Sequence, residues 1–598
     1  MIQLELHPLG GIKDPYNDFG SETPKPLSME AGGKDSLAGA NRRFWAQHLA
    51  EDKLECLVMD LQTRYRLADC NVPGYIEVME NPNRFMDRVA GAPGRMVDMN
   101  ASEQSFYWAA EVLTVMCNLY SDFVYWPFRL TIDQGFLLHE VNTRYLLENC
   151  LNSKTNPYYE FVVADCLPVI ESIKPELLWL LSPLRFSNFT MAMLAKTRFP
   201  NVHICLVDRF SEYHSLNKIR KYLRLNTVLF SVVDSIILDE VEATRKHMIC
   251  CLESRGSLDK VPNCMFIDRH RGKIMETPYK PAATKPQEVL ILSAGEDAGQ
   301  AAIENTGNLP KIADIKLWPK AKCYWNRCTF CGINHKYNTL PKENRYDQID
   351  AKVGVVSDLV KQGCRHFWLI DEAVPPDVLE IFALKLSEQK LQVYWQVRSR
   401  IDKGFSQTIC DTLAQSGLRE IRMGLESANL RILQLMDKFP KDFDLGLVEK
   451  IVSRFHRSGV SVHLCTIIGF PTETQKERNE TLEFLLGLKK KFPSLTFNVN
   501  KFMLDVSSKV YAEYEKFDIT TLEWPCPARY FLDNIIGWDS DVHPYDSKAL
   551  DRQRNSFMRQ TLFPWLPSNS AIQPLDFHDL CEGYRKTLLW KNSPNEEY

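Results

Sequence analysis

The sequence predicts an α/β protein in which a doubly wound parallel sheet precedes a partial (β/α)6 barrel of the TIM type. Two long stretches alternate apolar strands with helices, and their strands are apolar on both faces, as in parallel sheets covered by helices. The proline-rich stretch "TPYKPAATKPQ", residues 277–287, separates them. We therefore expect an N-terminal region at 1–150, the sheet domain at 151–277, the barrel at 288–515 and a C-terminal accessory region at 516–598.

The first alternating stretch gives the elements of the sheet. "PELLWLLSPL", "NVHICLVDR" and "VVDSIILDE" are predicted strands, and "FTMAMLAKTRF", "SLNKIRKYLRLN" and "VEATRKHMICCLES" are predicted helices. Within the first 150 residues, "LECLVMDLQ" is predicted as a further strand and "EQSFYWAAEVLTVMCNLY" as a helix. Ligands of such sheets lie beyond the carboxyl ends of the strands, here near Ser182, Asp208 and Asp239.

The second alternating stretch gives six strands, each but the last followed by a helix. The strands are "IADIKLW", "RHFWLIDE", "LQVYWQVRSRID", "LREIRMGLES", "VSVHLCTIIGFP" and "LTFNVNKFML". Right-handed crossovers curl such a series into a barrel or partial barrel, with its chemistry at the carboxyl ends of the strands. The periodicity fades near Asp518, where an aromatic-rich tail begins.

Composition narrows the function classes. A formal net charge of -4, with 45% hydrophobic and 25% charged residues, gives no reason to expect a nucleic-acid or membrane-surface partner. We see no secretory signal and no apolar run long enough to span a bilayer. The 17 cysteines are mostly scattered singly in apolar segments, which is typical of reduced thiols and predicts a cytoplasmic protein.

Three cysteines are closely spaced in "LWPKAKCYWNRCTFCGINHKYN", just after the first barrel strand. Cys323, Cys328 and Cys331 can hold an iron–sulfur cluster, hold zinc with His335 as a fourth ligand, or simply pack. The loop is polar, which disfavours inert packing. A four-iron cluster held by three cysteines leaves one iron open to another ligand.

These cysteines and three later segments resemble the radical S-adenosylmethionine (SAM) enzymes. The family's usual spacing is C-x3-C-x2-C, whereas this chain has C-x4-C-x2-C, with the aromatic Phe330 before the third cysteine. "VRSRID", "MGLESANLRILQLMDK" and "IIGFPTET" resemble the family's third-, fourth- and fifth-strand segments, in the family's order. The joint match, over residues 310–515, predicts a radical SAM barrel.

The resemblance implies that the three cysteines hold a [4Fe–4S] cluster whose open iron takes the amino and carboxylate groups of SAM. An electron from the cluster then breaks the sulfonium bond and gives a 5′-deoxyadenosyl radical. The backbone around Phe330 is expected to contact the adenine, and Ile468 and Gly469 to line the adenine pocket. An external electron donor such as flavodoxin or ferredoxin is expected as a partner.

The resemblance also implies residues for the other parts of SAM. Glu426 and Ser427 are expected to hydrogen-bond the ribose or the amino-acid end. Arg400 offers a planar fork suited to a carboxylate. Glu372, which follows the second barrel strand, is a candidate partner for the ammonium group.

A doubly wound domain ahead of such a barrel resembles the cobalamin-binding radical SAM enzymes. "DSIILDEVEATRKHM" lies where that class often carries D-x-V-V-x-G-E-G-E, but Asp239 and Val241 replace the two glycines. The chain has no D-x-H-x-x-G motif to supply a lower-ligand histidine. Glycines let the backbone approach a large cofactor, so a domain that kept the fold and lost its cofactor stays open.

Three functions follow from these patterns. The first is a cobalamin-dependent radical C-methyltransferase acting on a peptide or small natural product. The second is a non-methylating radical SAM enzyme of cyclisation, epimerisation or bond formation, with a degenerate cobalamin domain. The third is a metal-binding interaction protein without catalysis.

Overall fold

The structure is a computed structural model. It describes residues 3–6, 51–67, 72, 74–97, 102–125, 128–131, 135–138, 143–181, 186–207, 220, 223–224, 226–238, 242–268, 271–278, 312–315, 317, 323–332, 347–506, 508–523, 535–567 and 570–584.

The described strands form four sheets. They are β1 Gln3–Leu6, β2 Phe128–Thr131, β3 Gly135–Leu138, β4 Leu177–Leu181, β5 His203–Val207, β6 Ser235–Ile237, β7 Cys264–Asp268, β8 Lys273–Glu276, β9 Ile312–Ile315, β10 His366–Leu369, β11 Tyr394–Arg400, β12 Leu418–Glu426, β13 Ser461–Ile468, β14 Thr496–Lys501, β15 Leu504–Asp505, β16 Thr521–Glu523 and β17 Ile535–Asp539.

The described α-helices lie mostly between these strands. They are α1 Glu51–Arg64, α2 Tyr75–Glu80, α3 Pro82–Val97, α4 Glu103–Phe123, α5 Thr143–Asn149, α6 Tyr159–Phe161, α7 Leu167–Ile173, α8 Phe186–Arg198, α9 Glu242–Glu253, α10 Asp347–Lys361, α11 Pro376–Glu388, α12 Gln407–Gln415, α13 Leu430–Leu435, α14 Gly446–Arg457, α15 Gln475–Lys491, α16 Lys509–Ala512, α17 Ser547–Thr561 and α18 Pro574–Tyr584. A π-helical turn at Val162–Cys166 joins α6 to α7.

The N-terminal sheet confirms the predicted α/β class. Its order is β1-β4-β5-β6-β7-β8, in which the first four strands are parallel and the last two antiparallel. Among the described strands, this order follows the order of the chain. The segments with Ser182, Asp208 and Asp239 lie outside the described residues, as does most of the predicted helix "SLNKIRKYLRLN".

The predicted strand "LECLVMDLQ" is wrong, because these residues lie in α1. Leu54, Leu57, Val58 and Leu61 are all buried, and their spacing of three and four residues is the period of a helix. The predicted helix "EQSFYWAAEVLTVMCNLY" is confirmed as α4, which begins at Ser102, whose hydroxyl accepts a hydrogen bond from Ser105 N.

The barrel sheet has all six predicted strands, parallel and in the order β14-β13-β12-β11-β10-β9. Alternate residues such as Val397, Met423 and Leu464 are buried in the core between the strands and the helices. The residues between them therefore face the interior of the partial barrel, which we call the lumen.

The C-terminal region packs on both the barrel and the N-terminal helices. Arg554 of α17 donates from Nε to Val499 O of β14 at 2.5 Å. The buried carboxylate of Glu111 in α4 accepts hydrogen bonds from Ser570 Oγ at 2.8 Å and from the backbone nitrogens of Ala571 and Ile572. The segment after α17 thus closes the core of the N-terminal helices.

Candidate active site

The loop that carries the three cysteines is fixed by contacts to the segment after β12. Thr329 donates to Met436 O through its backbone nitrogen and to Leu435 O through its hydroxyl, both at 2.9 Å. Trp325 Nε1 donates to Asp437 O at 2.6 Å. Arg327 forms a two-point ion pair with the Asp437 carboxylate, at 3.1 and 3.0 Å. These contacts hold the cysteine loop at the carboxyl end of β12.

The cysteines differ in burial. Cys328 is buried, whereas Cys323 and Cys331 are partly exposed. Burial raises the pKa of the Cys328 thiol, Lys438 and Arg400 oppose that rise, and Glu426 and Cys323 add to it. Cations beside the thiol favour the thiolate that a cluster takes as its ligand.

The donor chemistry of this loop fits an iron–sulfur cluster, because all three cysteines are thiols rather than disulfides. The side chains are not preassembled into a metal site: within the residues described, no group of three His, Cys, Asp or Glu side chains is placed to hold a metal ion. His335, the expected fourth ligand of a zinc site, lies outside the described residues. The three cysteines stay the predicted cluster ligands.

Glu426 and Lys438 form a buried ion pair beside this loop. Lys438 Nζ lies 2.6 Å from Glu426 Oε1, and each side chain is about one-tenth exposed, at 9% and 10%. Burial lowers the pKa of Lys438, but the Glu426 carboxylate and Cys328 outweigh it and leave that pKa raised. Glu426 has a φ of 67°, which turns its side chain at the end of β12.

Gly424 provides the space for this ion pair. A Cβ at Gly424 would lie 2.5 Å from Lys438 Nζ and would also overlap the Glu426 carboxylate. Any larger residue here must displace one of the paired charges, which explains glycine in the sequence "MGLES".

Arg400 is held in an aromatic cage. Its guanidinium carbon lies 4.6 Å from the ring centroid of Trp325, with Tyr324 and Phe439 at 5.8 and 5.6 Å. Nη2 donates to Lys438 O at 2.5 Å, whereas the buried Nη1 has no hydrogen-bond partner among the described residues. Tyr324 also donates to Asp402 Oδ2 at 3.0 Å, which ties the "RSRID" strand end to the cysteine loop. The unsatisfied Nη1 is available to a carboxylate ligand.

The remaining predicted SAM residues divide into two groups. Phe330 is partly buried against the core cluster that contains Phe470 and Phe502. Gly469 has a φ of 77° and its nitrogen donates to Glu473 Oε2 at 2.5 Å, so it forms the turn at the end of β13. Glu372 lies on the lumen side, 4.0 Å from Arg398. These residues lie at strand ends, where the sequence predicts the site.

Two predicted residues point elsewhere. Ser427 is fully buried, and its hydroxyl bonds Thr481 Oγ1 at 3.1 Å and accepts from Asn429 N. Ile468 is buried in the core between strands and helices. Their side chains organise the ends of β12 and β13.

The sequence motifs contain Lys438, Asp402 and Glu473, to which the sequence analysis assigned no role. Burial raises the pKa of Glu473 to about 8, and its carboxylate bonds the Gly469 turn. The signal for Gly424 and Lys438 was the short distance between "MGLES" and "MDK", which lets the chain fold back on the strand end.

Comparison with known proteins identifies a family match within the barrel. Residues 322–485 match the model of the Radical SAM superfamily. This part of the chain is a Radical SAM domain. Such a domain implies a [4Fe–4S] cluster and SAM as cofactors. No helix among the described residues is both long and apolar enough to cross a membrane.

Among curated relatives, the chain is 19% identical to an uncharacterized methyltransferase of Pyrococcus horikoshii, over 54% of this chain and 67% of that protein. It is 24% identical to the tRNA-2-methylthio-N(6)-dimethylallyladenosine synthase of Thermotoga petrophila, over 48% of this chain and 62% of that protein. The chain thus spans about two thirds or less of the length of these relatives.

Among solved structures, the chain is similar to OxsB, a cobalamin-dependent SAM radical enzyme with aqua-cobalamin and SAM bound. The TM-score is 0.46 and the sequence identity 13%, over 71% of this chain and 64% of that chain.

Proposed function

We propose that this radical SAM enzyme is a cobalamin-dependent C-methyltransferase that acts on a peptide or small natural product. The observation that carries the radical chemistry is the convergence of the cysteine loop, the Glu426–Lys438 pair and the Arg400 cage at the carboxyl end of β12. When bound, the cluster supplies the electron for reductive cleavage of SAM.

The residues around the cluster loop have separable tasks in this proposal. Arg400 presents its unsatisfied Nη1 to the SAM carboxylate, and its cage of aromatic rings keeps the guanidinium in place. Glu426 accepts a hydrogen bond from the ribose or amino-acid end while Lys438 balances its charge. The strand-end turn at Gly469 contributes backbone to the adenine pocket in this proposal. A Cβ there would overlap Leu550, so the turn requires glycine.

Methyl transfer is supported by the name of the Pyrococcus relative, which is a methyltransferase. Cobalamin is supported by the parallel strands β1, β4, β5 and β6 that precede the barrel. The proposed cobalamin-binding residues are Ser182, Asp208 and Asp239. Flavodoxin or ferredoxin is the proposed electron donor.

Anaerobic reconstitution with iron, sulfide and hydroxocobalamin tests this proposal. Retention of the corrinoid through gel filtration, with S-adenosylhomocysteine formed under reducing conditions, supports the methyltransferase. Formation of 5′-deoxyadenosine by a protein that retains no corrinoid instead identifies the non-methylating radical SAM enzyme. A zinc-loaded protein that never cleaves SAM would contradict both.

A further inference from the structure

The lumen of the barrel presents a cation that the SAM site does not use. Arg398 of β11 and Arg422 of β12 are register partners on adjacent parallel strands, on the face opposite the buried Val397 and Met423. Both guanidinium carbons lie over the ring of Trp368, at 5.4 and 5.9 Å from its centroid. One indole thus positions two like charges.

These two arginines are compensated unequally. Arg422 Nε donates to the buried Glu420 carboxylate at 2.7 Å. The nearest carboxylate oxygen to Arg398 is Glu372 Oε2 at 4.0 Å, beyond hydrogen-bond distance. Among the residues described, the Arg398 guanidinium donates no hydrogen bond, and its side chain is 24% exposed. A planar five-donor group is therefore presented to the lumen without a bound acceptor.

The position of Arg398 separates it from Arg400, the predicted contact of the SAM carboxylate. It lies two residues before Arg400 on the same face of β11, so it is about 6.6 Å further from the carboxyl ends of the strands. The thiol of Cys465 on β13 adjoins this layer. The pKa of that thiol is raised to about 12, chiefly by burial; Glu426 also raises it, and Arg422, Arg398 and Lys438 lower it. Cys465 pairs in register with Gly424, two residues nearer the carboxyl end of β12 than Arg422.

We propose that Arg398 binds the carboxylate of the enzyme's substrate inside the lumen, so that the substrate class is a small carboxylic acid or the carboxylate end of a peptide. The planar fork of arginine matches a carboxylate in two parallel hydrogen bonds, and Trp368 fixes the fork while offering an apolar face. The inference rests on the proposed function, because it places the substrate next to the SAM site.

The test compares ligands of matched shape on the anaerobically reconstituted, SAM-bound enzyme. The probes are 3-phenylpropionate and its neutral amide, 3-phenylpropanamide, with phenyl phosphate as a third, and binding is measured by saturation-transfer NMR and calorimetry. We expect the acid to bind about ten-fold or more tighter than the amide, as for a charge-assisted hydrogen bond. Arg398→Gln removes this preference and leaves SAM affinity within about two-fold.

Arg419→Gln is the matched control, since Arg419 lies on the same strand pair and over an aromatic ring, at 4.9 Å from the centroid of Tyr394. It should keep the preference for the acid. The proposal is overturned if acid and amide bind the wild type equally, if phenyl phosphate binds and the acid does not, or if Arg398→Gln abolishes SAM binding. Failure of the enzyme to cleave SAM under reduction would overturn the proposed function and leave this binding result unchanged.

Discussion

The buried pair of Glu426 and Lys438 allows a double-mutant cycle. The substitutions are Glu426→Gln and Lys438→Met, which remove one charge each while keeping the side-chain length. The two atoms are 2.6 Å apart and both side chains are about nine-tenths buried, so neither charge has bulk water as an alternative partner. Removing one partner of such a pair costs about 3–5 kcal/mol, because the other charge stays buried.

The double variant leaves no unpaired buried charge. Its loss of unfolding free energy should therefore be smaller than the sum of the two single losses by about 2 kcal/mol or more. The assay is thermal unfolding of the barrel transition, followed without oxygen at pH 7. For a unit of about 200 residues, 3 kcal/mol corresponds to a fall in Tm of about 6–12 °C. Lys441→Met, at an exposed lysine three residues further on, should leave Tm unchanged. Additive single costs, or a Lys438→Met variant as stable as Lys441→Met, would refute the reasoning.

Three further perturbations address the site. Gly424→Ala should weaken SAM binding and destabilise the barrel by about 1–3 kcal/mol, because the added Cβ displaces the Glu426–Lys438 ion pair. The control Gly354→Ala, at an open position on α10, should stabilise the protein by about 0.5–1 kcal/mol. Calorimetric titration measures SAM affinity, and urea unfolding measures stability. The pKa of Glu473 is about 8, so between about pH 4.5 and 8 the folded protein retains a proton that the unfolded chain has lost. The free energy of unfolding should therefore fall by about 1.4 kcal/mol per pH unit as the pH rises through this range. Glu473→Gln should remove this pH dependence. A Glu473→Gln variant whose Tm differs between pH 5.5 and 8.5 by as much as that of the wild type would contradict the reasoning. Cys328→Ala should abolish SAM cleavage and the iron absorbance while the circular dichroism spectrum is kept; retained cleavage would exclude Cys328 as a cluster ligand.

The barrel was predictable because its signals are local. Each strand is a short apolar run, and each helix between them has the three- and four-residue spacing of a buried face, so element type and order follow from periodicity alone. The cysteine motif was also visible in the sequence, because its residues lie close together in the chain. The match to the Radical SAM superfamily, over residues 322–485, begins at this loop.

The rest depends on contacts that are distant in sequence. Strands β7 and β8 were not among the predicted strands, and their antiparallel pairing beside β6 is set by contacts between strands. Arg398 and Arg422 become neighbours only through the register of two strands. Ser427 is a predicted SAM contact because it belongs to a motif, and the motif gives no sign that its hydroxyl bonds Thr481, more than fifty residues away. Side-chain direction at a strand end is set by such tertiary contacts rather than by the motif.

The C-terminal accessory region is best understood from what it satisfies. Glu111 is only 9% exposed, and its hydrogen bonds come from Ser570, Ala571 and Ile572. Moving these donors away would leave a buried carboxylate in α4 without partners, which costs several kcal/mol. A segment that opens to admit substrate must separate at little cost, so this segment is not such a lid. Phe577 of α18 also packs edge-on against Tyr107 at 5.3 Å, within the N-terminal core. This segment therefore holds the N-terminal helices against the barrel, and access to the lumen must be provided by another part of the chain.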